Sequence, residues 1–101
     1  MSPATTSDWS VYLIRCGDGS LYTGVARDVA RRFEEHSASE GKGAKYLRGR
    51  GPLRLVLEHP VGERGLALRV EGRIKKLPRA QKELLLDGTR TVERIVSGAR
   101  D

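Results

Sequence analysis

A chain of 101 residues, 38% apolar and 32% charged, has material for one modest core and not for two. Its one cysteine, Cys16, excludes an internal disulfide framework and a multi-Cys zinc site, and no apolar run reaches membrane-spanning length. Against 13 Asp and Glu stand 19 Lys and Arg, a net charge of +6 that points to a polyanionic partner, nucleic acid first.

The opening MSPATTSD, residues 1–8, lacks the basic-then-apolar layout of a secretory leader. It reads as a disordered tail ahead of a single domain over 9–98, with the cytoplasm as the expected location. WSVYLIR, 9–15, is dense in β-branched and aromatic residues and reads as a strand, with Trp9, Val11 and Leu13 on one face and Ser10, Tyr12 and Ile14 on the other. SLYTGV, 20–25, reads as its hairpin partner across the turn chemistry of Cys16-Gly-Asp-Gly-Ser20. From Asp28, a helix-capping residue, the period changes: Val29, Phe33 and His36 recur at helical spacing. A glycine-punctuated basic loop over 39–52 leads to a third strand, LRLVLEH, 53–59. Its weak alternation suggests a central strand covered on both faces, and Pro60 and Gly62 are expected to end it. ERGLALRVEGRIKKL, 63–77, is an amphipathic helix with Leu66, Val70, Ile74 and Leu77 as its stripe. Pro78 starts a further helix to 87, Gly88 ends it, and 92–98 reads as a last short one. The order β-β-α-β-α-α predicts an α+β domain, a small three-stranded antiparallel sheet flanked by helices.

Charge is concentrated in the second half. Residues 42–54 carry Lys42, Lys45, Arg48, Arg50 and Arg54 with no acid, and residues 64–82 carry seven bases with Glu71 as the one acid. Such a field suits phosphate contacts, although a solvated basic face has the same composition. Glycines at 41, 43, 49 and 51 let backbone amides approach phosphates, and Tyr46 can stack on a base. Lys42, Lys45, Tyr46, Arg48 and Arg50, with Arg73 and Lys76, are the candidate nucleic-acid contacts.

Two of the three tyrosines stand on the hairpin. A two-residue loop at Asp18-Gly19 would send Tyr12 and Tyr22 to opposite faces. A three-residue loop, Gly17-Asp18-Gly19, sets Tyr12 opposite Gly24 and Tyr22 opposite Ile14, so that the rings sit diagonally on one face. Gly24 then leaves space above the backbone for a ligand. Strand tyrosines are also ordinary half-buried residues, and only a wider constellation separates the two readings.

That constellation resembles a known family. VYL (11–13) and YTG (22–24), a hairpin turn apart and followed by a helix, look like the GIY-YIG nuclease superfamily. RDVARRFEEH (27–36), GAKYLRGRGPLRLVLEH (43–59) and ALRVEGRIKKL (67–77) extend the likeness over residues 9–77, most like the small stand-alone bacterial members. The resemblance implies an endonuclease that hydrolyses phosphodiester bonds in DNA or RNA, branched or structured DNA among them. Tyr12, Tyr22, Arg32 and His36 would be catalytic. Glu71 would hold a single magnesium or manganese ion, weakly without substrate.

The residues suit those roles. Arg32 and His36, four apart, share a helix face; Arg32 can fork onto phosphate oxygens and His36 can relay a proton or orient a tyrosine hydroxyl. A tyrosine with pKa about 10 is a poor base near neutrality, and Arg32 with a metal ion is expected to lower that value for Tyr12. One carboxylate suffices for magnesium, which fills its other positions with water and phosphate oxygen. The competing reading of Glu71 is a helical pair with Lys75, and of Arg31, Arg32 and His36 a solvated face paired with Glu34 and Glu35. Gly72, a mid-helix glycine, hints at close packing.

The motifs depart from the family in SVY for GIY and YTG for YIG. The chain also contains no Asn, which many members use downstream of the metal Glu. A backbone group, a Thr or a Gln takes that place, or catalysis is slow or lost. Without a separate DNA-binding domain, recognition falls to nucleic-acid shape or to a protein partner. The alternative function is a non-catalytic nucleic-acid-binding module of the same fold, and a third is a small basic interaction domain.

Overall fold

The computed structural model describes residues 8–37, 51–89 and 91–100. Strands β1 (Trp9–Arg15) and β2 (Leu21–Ala26) form the hairpin, followed by α1 (Val29–Ser37), β3 (Arg54–Gly62), α2 (Arg64–Lys75), α3 (Arg79–Leu86) and α4 (Val92–Arg100). The sheet is antiparallel in the order β2-β1-β3. Among the described residues no helix is long and apolar enough to cross a membrane.

The hairpin turn sets the register. The Gly19 N–H donates to the Cys16 carbonyl and the Cys16 N–H to the Ser20 carbonyl, each at 2.9 Å, while Asp18 Oδ1 accepts from the Ser20 N–H at 3.0 Å. Gly19 holds φ +88°, a left-handed backbone that an L side chain resists. Tyr12 therefore pairs with Gly24 and Ile14 with Tyr22, the pairing a three-residue loop dictates. Helix α3 braces this turn: Arg15 forks onto the Glu83 carboxylate at 2.5 and 2.7 Å, and Arg79 donates to the Gly19 carbonyl at 2.7 Å.

Two features of β3 correct the expectation from sequence. It is an edge strand, and β1 is the central one. Nor does Pro60 break it: pairing with β1 continues through Ser10↔Pro60 to Trp9↔Gly62, with a register shift between Trp9 and Ser10, and the strand ends at Gly62 as expected. A residue with no N–H is tolerated on an edge and beside an irregularity, where the ladder bond it lacks is dispensable.

Alternation along β1 divides the apolar residues between the two faces of the sheet. Val11 and Leu13 pack with Leu66, Ala67, Val70 and Ile74 of α2 and with α3 and α4. Full burial of Leu66, Val70 and Ile74 is worth roughly 1.5–3 kcal/mol apiece. Tyr12 and Ile14 face the other way, into a smaller cluster with Cys16, Ala26 and Val29. Asp28 starts α1 as expected, its Oδ1 accepting the Arg31 N–H at 3.1 Å.

Candidate active site

The site is built on the smaller cluster. Tyr12, in the central strand, is 1% exposed, and its ring lies over Gly24. A Cβ at position 24 would come within 2.5 Å of both Cζ and Oη of Tyr12. The space above Gly24 thus seats the tyrosine itself and not a ligand, which corrects the expectation from sequence.

Helix α1 brings two side chains to that ring. The Tyr12 hydroxyl lies 2.9 Å from His36 Nε2, and Arg32 also reaches it as a hydrogen-bond donor. Tyr22 completes a triangle of rings, with centroids 6.4 Å from Tyr12 and 5.6 Å from His36, the latter edge-on at 69°. The diagonal register and the four-residue spacing of Arg32 and His36 thus bring all four side chains together. Arg32 donates in addition to Glu35 Oε1 at 2.7 Å; this pairing follows from the i,i+3 spacing of the two residues.

Burial decides the protonation states. It pushes the Tyr12 phenol up to about 12, with the neighbouring Tyr22 adding to the effect. Arg32 pulls downward as its charge requires, and Glu71 pushes up again. The lowering expected from sequence is present as a contribution and is outweighed. Burial also drives His36 below the usual imidazole value, Arg32 reinforcing the effect and Glu35 opposing it. Near pH 7 the pair is therefore a neutral phenol and a neutral imidazole. Arg32 can only donate, so the Tyr12 oxygen accepts from it. The arrangement satisfying every group has the Tyr12 O–H donating to an unprotonated Nε2 of His36, a tautomer assigned from the hydrogen-bond pattern.

Glu71, with its side chain 17% exposed, is turned away from bulk water, and its charge is felt at Tyr12. Its Oε2 lies 3.4 Å from Lys75 Nζ, so the helical pair also exists. Among the described residues no group of three or more His, Cys, Asp or Glu comes together. The donor at this site is one hard carboxylate, which fits magnesium or manganese, ions content with one protein oxygen plus water and phosphate, and does not fit zinc.

The remaining candidates lie elsewhere. Arg73, two residues on from Glu71 and so about 200° around the helix, lines a separate cavity of about 660 Å³ with Leu77, Thr89, Thr91, Arg94 and Ile95. Lys76 is exposed at the end of α2. Neither joins the tyrosines. Lys42, Lys45, Tyr46, Arg48 and Arg50 lie outside the described residues.

The chain is similar to several known proteins. The family model described as the GIY-YIG catalytic domain matches residues 8–84. A UPF0213 protein of Klebsiella pneumoniae is 48% identical over 100 residues, covering 99% of this chain and 92% of its own. The UPF0213 protein YhbQ of Escherichia coli is 55% identical over 78 residues, 77% of this chain and 76% of its own. The solution NMR structure of a UPF0213 protein from Bacillus halodurans, 46% identical, superposes with a TM-score of 0.51 over 79% of this chain and 83% of that one.

Proposed function

The chain belongs to the GIY-YIG family, and from that premise we propose that it is a divalent-metal-dependent endonuclease that hydrolyses phosphodiester bonds in structured DNA. The observation that carries the reading is the Tyr12 hydroxyl held between His36 Nε2 at 2.9 Å and the Arg32 guanidinium. A phenol with pKa about 12 keeps its proton at neutral pH and is no base by itself. Beside an unprotonated imidazole it becomes one: as Tyr12 takes a proton from the attacking water, it passes its own to His36 Nε2, and His36 ends as the cation. Tyr22, edge-on to His36, fixes the imidazole plane. Arg32 forks onto the phosphate and offsets the charge that grows there. Glu71 would hold the magnesium or manganese ion, which when bound neutralises phosphate charge. The basic residues of 42–50 would track the backbone of the strand.

The test is incubation of the purified protein with fork, flap and plain duplex DNA, with magnesium and with a chelator. The expected result is metal-dependent cutting of the structured substrates. Tyr12→Phe should lower it by roughly 10²–10⁴-fold, and Glu71→Ala should abolish it while binding persists. Cutting that survives both the chelator and Glu71→Ala would overturn the proposal. Binding without cutting would identify the non-catalytic module instead.

A further inference from the structure

Trp9 is the chain's single tryptophan. Part of its ring packs against the core cluster of α2, α3 and α4. The rest lines a cavity of about 300 Å³ with Val25, Ala26, Arg27, Arg31 and Arg32. Above the indole stand two guanidiniums, Arg27 at 5.7 Å and Arg64 at 5.6 Å from the ring centroid. Among the described residues neither has a carboxylate partner. The acids of the cavity are already engaged: Asp28 caps α1 through the Arg31 N–H, and Glu35 holds Arg32 at 2.7 Å and Arg31 at 3.7 Å. The cavity lining thus holds one more arginine than acid beside an aromatic surface, and Arg64 adds a further positive charge over the indole. Arg32 is its link to the reacting group, since the same side chain donates to the Tyr12 hydroxyl.

We propose that this cavity seats an unpaired nucleotide beside the scissile phosphate, with its base stacked on Trp9 and its phosphate held by Arg27 and Arg64. The proposal rests on the nuclease reading of the neighbouring site and specifies its substrate class: nucleic acid with a single-stranded arm at the cut. An exposed guanidinium–ring contact is weaker than a base stacked on an aromatic ring. An incoming nucleotide therefore exchanges two weak contacts for one stack and releases both arginines to form charge-assisted bonds with phosphate. A base inside a duplex has both faces covered by its neighbours and offers none to the indole. Selection of an unpaired base follows from shape alone and needs no base-edge hydrogen bonds.

Because Trp9 is the one indole, the protein's tryptophan emission reports this ring and no other. The full chain is titrated, in chelator so that nothing is cut, with three probes of equal length: a single strand of thymidylate, a blunt duplex and an abasic strand. The expected result is saturable quenching by the thymidylate strand and binding without comparable quenching by the abasic strand and the duplex, with binding followed independently by anisotropy of a label on the DNA. Trp9→Leu should weaken single-strand binding by roughly 10- to 100-fold and leave duplex binding unchanged. Should that variant fail to fold, the quenching series on the unmodified chain decides by itself. Equal quenching by thymidylate and abasic strands, thymidylate binding by a folded Trp9→Leu as tight as that of the unmodified chain, or no binding of any probe would overturn the proposal. Quenching by a protein that never cuts would keep the nucleotide seat and remove the nuclease reading. Cutting without thymidylate-specific quenching would do the reverse.

Discussion

Tyr12 shows how burial can override the charge pattern around a group. Its phenol has a cation in hydrogen-bond reach and still stands at about 12, because the ring is enclosed by the sheet, Gly24 and α1. The folded chain therefore holds this proton more tightly than the unfolded chain, whose tyrosines ionise near 10.0. The stability that results is complete below about pH 10 and is lost as pH rises through about 12. A phenolate absorbance titration should show one late component near 12 that disappears in Tyr12→Phe, and the variant should lose less stability across that alkaline window. A titration in which every phenol ionises near 10 would contradict the assignment. Thr23, between the two motif residues Tyr22 and Gly24, carries a different cost: its Oγ1 is buried with no hydrogen-bond partner. Thr23→Val removes the orphaned hydroxyl at nearly constant shape, and should raise stability by about 1–3 kcal/mol in a denaturant melt. The shared face of the two tyrosines was legible in the sequence, because loop length fixes strand parity. The depth of Tyr12's burial was not, since it depends on how α1 lies across the strand.

At the scale of elements, sequence pattern located the strands and helices of the described residues, but the order it predicted, β-β-α-β-α-α, counted one helix too few, and it ranked the strands wrongly. Weak alternation in 53–59 resembles the pattern of a buried central strand, yet β3 is an edge whose residues are mostly half-buried. The bracing of the hairpin turn by α3 left no local signal, because Arg15 and Glu83 are 68 positions apart. Gly72 is a further case. The close packing that a mid-helix glycine suggests is absent: a Cβ there meets nothing within 4 Å. With no neighbour to displace, Gly72→Ala should gain the helix propensity of alanine, about 0.5–1 kcal/mol, read as a higher denaturant midpoint with unchanged slope. A loss of stability would mean that the glycine serves a conformation other than the one described.

For the whole molecule, the governing quantity is a net charge of +6 on a chain of 101 residues. Nucleic-acid binding should weaken linearly on a log–log plot against salt, the slope counting the phosphates neutralised at about 0.7 per contact on single strands and 0.9 on duplex. A flat plot would remove nucleic acid as the partner. The two apolar clusters divide the work: the larger, on the α2 face of the sheet, supplies most of the burial, and the smaller carries the candidate chemistry. Their common wall is β1, in which Val11, Leu13 and Ile14 are wholly enclosed and Tyr12 nearly so. No partial opening can free that segment without unzipping a neighbouring strand, so its amides should be the last in the chain to trade hydrogen for deuterium. The phenol at the heart of the site is thus bolted to the strand that both others flank, and slippage of the reacting oxygen would require taking the sheet apart.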